Sequence, residues 1–137
     1  MRHLRSWNLS AVDKSKEEHM AMADLKRVLA STEATEITVT GRKSGRKISF
    51  PVWFVLDGET LYLLPVKGSE SDWFKNILQN PTMTIAARGI EITANVKPIK
   101  DPDQVREVVE KFRAKYGVAN IQRYYSKFDV AVEARLH

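Results

Sequence analysis

Cysteine is absent from the 137-residue chain, and histidine occurs only at His3, His19 and His137, near the two ends. The first absence removes disulfides, thiolate nucleophiles and cysteine-based zinc or iron–sulfur sites. The second leaves no histidine pair at metal-ligand spacing. No apolar run approaches the roughly 20 residues that span a bilayer, and "MRHLRSWNLS" lacks the apolar core of a signal peptide, so the chain reads as cytoplasmic. Paired carboxylates suited to acid/base work are also missing. Asp57, Glu59, Glu70 and Asp72 read as turn and helix-start residues.

What is present is an ordinary globular composition, 43% hydrophobic and 28% charged, at a length that suits one domain over residues 1–137. The net charge of +5 suggests an anionic partner, yet charge alone does not choose between nucleic acid, a phosphorylated cofactor and simple solubility. Position is more informative. The cations are densest in Arg42-Lys43-Ser44-Gly45-Arg46-Lys47, set between two strand-like runs.

Residues 14–30 have helical periodicity, with Ala21, Leu25, Val28 and Leu29 on one face. From Thr35 the period becomes two. "TEITVT" alternates, and "ISFPVWFVL" is nearly continuous apolar sequence, which predicts a strand buried on both faces. Asp57-Gly58 signals a hairpin into "TLYLLPV". Trp73, Phe74, Ile77 and Leu78 predict a short helix, capped by Ser69 or Ser71 and stopped at Asn80-Pro81.

A second hairpin turns at Arg88-Gly89. Asp101-Pro102 then opens a helix whose apolar positions run from Val105 to Tyr116, with Gly117 as its stop. A further helical turn over 121–126 and a closing strand over 127–136 complete the order. The pattern predicts an α+β fold, an antiparallel six-stranded barrel whose core spans about 35–100, with flanking helices.

The ordered set T-G-R-K-S-G (40–45), Pro51, the DG hairpin, Lys67-Gly68 and the W-F-x-N-I-x-x-N-P segment from Trp73 to Pro81 resembles the deazaflavin-dependent nitroreductase, or F420-dependent quinone reductase-like, family of the FMN-binding split β-barrels. The likeness covers about residues 35–90. It implies a split barrel holding coenzyme F420 or FMN beside the sheet, with hydride transfer from the reduced ring to a quinone, nitro compound or similar small electrophile.

Carried over residue by residue, the resemblance implies that Arg42, Lys43 and Ser44 hold the cofactor phosphate, with Gly45, Arg46 and Lys47 completing the corner. Pro51, Val52 and Trp53 would line the groove, Pro65, Val66, Lys67 and Gly68 would lie against the ring system, and Trp73 would close one side. Ile48 stands where relatives often carry another arginine, and Ser69 where a second glycine commonly follows.

Read as residues alone, the corner could equally be a solvated turn that discourages edge pairing, Trp53 could be core, and Lys67 could be a loop lysine in solvent. Lys67 and Tyr124 are the candidates for a chemical role. Lys67 would sit where charge develops on a ring carbonyl, and Tyr124, with Tyr125, Tyr116 and Lys127 nearby in sequence, would close the substrate side or donate a proton. The other functional classes are a flavin- or haem-carrying barrel without turnover, and nucleic-acid binding. Single-strand binders interleave exposed aromatics with cations, whereas the aromatics here sit in apolar runs. Oligomeric state stays open between a single chain and a homodimer.

Overall fold

The computed structural model describes residues 16, 17 and 20–136; His3, His19 and His137, and the predicted helix start at residue 14, lie outside these. Residues 20–29 are helical (α1). The strands are β1 (Ala34–Thr40), β2 (Lys47–Asp57), β3 (Thr60–Leu63), β4 (Thr82–Ala87), β5 (Ile90–Ile99) and β6 (Ala131–Arg135). Helix α2 spans Asp72–Gln79, α3 spans Pro102–Tyr116 and α4 spans Val118–Tyr124. Among the described residues this makes six strands, closed into an antiparallel barrel in the order β1-β2-β3-β6-β5-β4, with four flanking α-helices.

Two long strands close the barrel by changing partners midway. The first half of β2 pairs with β1, from Thr40↔Lys47 to Ala34↔Trp53, and its second half pairs with β3, from Phe54↔Leu63 to Asp57↔Thr60. β5 does the same, pairing with β4 up to Asn95 and with β6 from Val96 onward. The turns suit their residues. Gly58 opens a two-residue loop at φ +63°, and Arg88-Gly89 has φ of +50° and +80°, the double positive value of a type I′ hairpin.

The inward positions of the strands, including Ile37, Phe54, Leu61, Met83 and Ile85, form one buried cluster, sealed by Leu25 and Leu29 of α1 and by Phe74 and Ile77 of α2. A second cluster lies outside the barrel, where Val105, Val109, Phe112 and Tyr116 of α3 and Ile121 of α4 cover Leu64, Ile99 and Ala131. Helix α3 has the predicted ends because its signals are local: Asp101 accepts the Gln104 N–H at 3.1 Å, Pro102 is its first residue, and Gly117 leaves it at φ +94°.

Three expectations change. β2 is not buried on both faces: of its eleven residues only Phe54 is fully enclosed. Its apolar run borders the second cluster and, further toward its start, an open groove. The closing strand begins at Ala131 rather than 127, because residues 126–129 bond to the 66–69 loop instead of to a ladder. Ser71 occupies the N-cap position of α2, but its hydroxyl accepts the Lys67 N–H (2.9 Å) and makes no cap bond. No helix among the described residues is long and apolar enough to cross a membrane.

Candidate functional site

The β2–β3 ladder ends at Phe54↔Leu63, and the two chains then part. Proline stands on each side of the parting, Pro51 on β2 and Pro65 after β3, and neither has an N–H to donate to a continued ladder. Between them opens a groove of about 580 Å³. Phe50, Pro51, Val52 and Trp53 form one wall, while Val66, Lys67 and the start of α2 with Trp73 form the other. Tyr124 and Tyr125, at the end of α4, close the remaining side.

The β2 wall is backed by aromatics. Trp53 stacks on Tyr116 at 4.3 Å between centroids and 5° between planes, and Tyr124 meets its edge at 5.6 Å. The Tyr116 hydroxyl accepts the Phe54 N–H (3.0 Å) and donates to the Glu33 carbonyl (2.6 Å), with the Phe54 carbonyl 2.8 Å away. Burial pushes its pKa up to about 12. Lys115 donates to the same Phe54 carbonyl (2.8 Å), and desolvation lowers its pKa. Tyr116 therefore pins α3 to β2 and sets the plane of Trp53, instead of turning its hydroxyl to water. Trp53 is both core and groove wall.

Tyr125 is buried, and its hydroxyl makes no hydrogen bond among the described residues. Burial raises its pKa, so the phenol stays protonated and able to donate. Lys67 is exposed at the groove, and its ammonium makes no ion pair among the described residues. The groove's acids are engaged: Glu70 lies 4.0 Å from Lys75 and 3.8 Å from Lys127, and Asp72 lies 3.6 Å from Arg42.

Of the residues singled out in sequence, Pro51, Val52, Trp53, Val66, Lys67, Trp73 and Tyr124 are brought together as groove lining. Pro65 and Gly68 are buried beside it. The corner Arg42–Lys47 does not line the groove and reaches its rim through Arg42. Arg42 is already employed: its N–H and guanidinium both donate to the Asn76 side chain (3.0 and 2.8 Å), and its guanidinium also reaches the Asp72 carbonyl (3.3 Å).

Part of the corner's backbone is similarly occupied. Gly41 N–H bonds to the Arg46 carbonyl, Gly45 N–H to the Gly41 carbonyl and Arg46 N–H to the Ser44 hydroxyl. Lys47 donates to Thr40 (3.0 Å). The Lys43 and Ser44 N–H groups make no hydrogen bond among the described residues, so an anion at this corner would meet them together with the side chains of Lys43 and Arg46. Sequence reasoning missed Phe50 and Leu64 in the lining and gave no hint of Asp129, described below.

Residues 24–135 match the family described as "Uncharacterized protein conserved in bacteria (DUF2255)". The chain belongs to that family. None of the curated proteins compared with it matches this DUF2255 member. Among solved structures it is similar to an F420-H2-dependent reductase (FDR-A), at 18% identity and TM-score 0.59, over 75% of this chain and 94% of the other. A NimC/NimA family protein from Clostridium acetobutylicum shares 18% identity at TM-score 0.59, covering 83% and 81%. The haem storage protein HutZ from Vibrio cholerae shares 14% identity at TM-score 0.63, covering 84% and 89%. At these identities the likeness establishes the split-barrel fold of the DUF2255 chain, which its strand exchange at β2 and β5 already describes.

Proposed function

We propose that the protein is an oxidoreductase that binds a flavin-type cofactor, coenzyme F420 or FMN, in the groove and reduces a small electrophile such as a quinone or nitro compound. The observation that carries this reading is the groove's make-up: a slot of about 580 Å³ with aromatic walls from Trp53, Trp73 and Tyr124, and Lys67 as its unpaired cation among the described residues. A flat tricyclic ring suits such walls, and the volume lies in the range of ordinary cofactor sites.

When bound, the reduced ring supplies the hydride. The protein's own residues bind, orient and exclude water. Trp53, held by Tyr116, offers a fixed face for stacking. The Lys67 ammonium offsets negative charge on the ring or on the reduced product. The protonated Tyr125 hydroxyl, with the exposed Tyr124 beside it, is available to hydrogen-bond the acceptor. Lys43 and Arg46 would hold a phosphate at the corner, while Arg42 keeps that corner docked on α2.

A haem-carrying barrel has less support. Among the described residues, the groove lining offers Tyr124, Tyr125 and Lys67 as possible iron ligands and includes no histidine, cysteine or methionine. Fluorescence titration of the purified protein with FMN and with F420, side by side at physiological salt, tests the reading. Micromolar or tighter binding of one is expected and names the donor for turnover assays. Failure to bind either overturns it.

A further inference from the structure

The loop that carries Lys67 belongs to no named strand, yet it is fixed by hydrogen bonds at several of its residues. Ser126 N–H donates to the Val66 carbonyl (2.8 Å), and Lys67 N–H donates to the Ser71 hydroxyl (2.9 Å). Asp129 accepts the Ser69 N–H on one carboxylate oxygen (2.9 Å) and the Ser69 hydroxyl on the other (2.5 Å). Gly68 lets the two segments meet: at φ +55°, an added Cβ would lie 2.1 Å from the Asp129 carboxylate.

The carboxylate's surroundings favour its charged form. Burial would raise the Asp129 pKa, but the two Ser69 hydrogen bonds and the Lys127 ammonium at 3.8 Å outweigh it and hold the pKa below the usual range. Lys127 also lies 3.8 Å from Glu70, and Lys67 and Lys127 form a parallel β-bridge. The turn around Ser69 has its own backbone bonds, Gly68 N–H to the Pro65 carbonyl, Glu70 N–H to the Lys67 carbonyl and Ser71 N–H to the Gly68 carbonyl, while both hydrogen bonds made by Ser69 itself go to Asp129, in the segment that follows Tyr124 and Tyr125. The Asp129–Ser69 pair is the tie between the two sides of the groove that lies next to the Lys67–Gly68 turn.

We propose that Asp129 is a positioning residue: by holding Ser69 with both carboxylate oxygens it fixes the Lys67–Gly68 turn, so that the Lys67 ammonium faces the ligand in the groove. The ligand's identity rests on the cofactor reading above, whereas the tie itself does not.

The test is a double-mutant cycle on cofactor affinity, with Lys67→Ala made in the wild type and in Asp129→Ala. In the wild type, removing the Lys67 charge is expected to weaken binding about tenfold, and in the Asp129→Ala background less than about twofold. Simple loosening of the fold would leave the two losses additive, and additive losses overturn the proposal. Asp129→Asn, which keeps an acceptor for the Ser69 N–H, should restore part of the coupling; it also serves if Asp129→Ala does not fold.

A ligand-free measurement runs beside the cycle. Amide hydrogen exchange at Ser69 should accelerate at least about tenfold in Asp129→Ala, while the amides of β1 and β2 stay unchanged. Unchanged exchange at Ser69 overturns the tie. Failure of the wild type to bind either cofactor would sink the cofactor reading, and the exchange result would still decide the role of Asp129.

Discussion

The wall of the groove built on β2 and the wall built on Val66–Asp72 face each other across the same space but are held by different forces. Behind the β2 wall stand Tyr116 and Phe112, both in the buried cluster under α3, so Trp53 is fixed by packing. The loop wall lies at the surface, where Asp129, Ser69, Ser126 and Ser71 tie it with polar contacts. Burial contributes in proportion to apolar area, whereas an exposed hydrogen bond or ion pair adds little net stability. The two walls should thus fail differently: damage to the first unfolds the protein, and damage to the second misplaces one lysine.

The largest effect is expected behind the β2 wall. Phe112 is fully enclosed and lies 5.9 Å from Tyr116 and 6.1 Å from Tyr125 between ring centroids. Phe112→Ala should cost about 3–5 kcal/mol in urea unfolding, the range for an aromatic removed from a packed core. A cost below about 1 kcal/mol would mean that the α3 cluster is not a rigid backing for the β2 wall.

Tyr116→Phe keeps the ring and removes one oxygen, leaving the Phe54 N–H and the Glu33 carbonyl to find other partners. The expected cost is about 1–3 kcal/mol. The same residue gives the comparison a pH signature. Its pKa is raised to about 12 by burial, above about 10 in the unfolded chain, so its contribution is complete below about pH 10 and is lost as pH rises toward 12. Tyr125 shifts in the same direction. Unfolding midpoints of the wild type should fall across that window, and the fall should be smaller in Tyr116→Phe; equal slopes would remove Tyr116 as the cause.

The two walls also differ in how far sequence reveals them. Helix α3 could be read to its ends because Asp101, Pro102 and Gly117 act on their own neighbours. The resemblance points to Pro51–Trp53 as groove lining, although the continuous apolar run around them suggested a fully buried strand. That reading went wrong because a groove wall and a core strand ask for the same residues, and only the departure of β3 after Leu63 separates them. The loop wall depends on a partner 60 residues away: Ser69 and Asp129 lie outside any shared period. The expected strand start at 127 was wrong for the same reason.

Lys67→Ala probes the loop wall directly. Its ammonium has no protein partner among the described residues, so stability should change by less than about 0.5 kcal/mol while cofactor affinity falls about tenfold. Loss of stability without loss of affinity would make Lys67 part of the scaffold and would erase the distinction between the walls.

The smallest effects are expected at the basic corner, where the same distinction recurs between neighbours. Arg42 is bound to Asn76 and Asp72 and so behaves like the packed wall, whereas the side chain of Lys43 is exposed and makes no such contact among the described residues. Arg42→Ala should lower stability by about 1 kcal/mol, since it removes a charge-assisted bond to a buried asparagine, and should weaken binding as the corner loosens from α2. Lys43→Ala should leave stability within about 0.5 kcal/mol and weaken cofactor binding about three- to tenfold. Raising the salt concentration should shrink the Lys43 effect first, because an exposed charge is screened more than the partly enclosed Arg42 contacts. If both variants bind the cofactor as the wild type does, the corner serves solubility alone, and the groove must hold its ligand through the aromatic wall and Lys67.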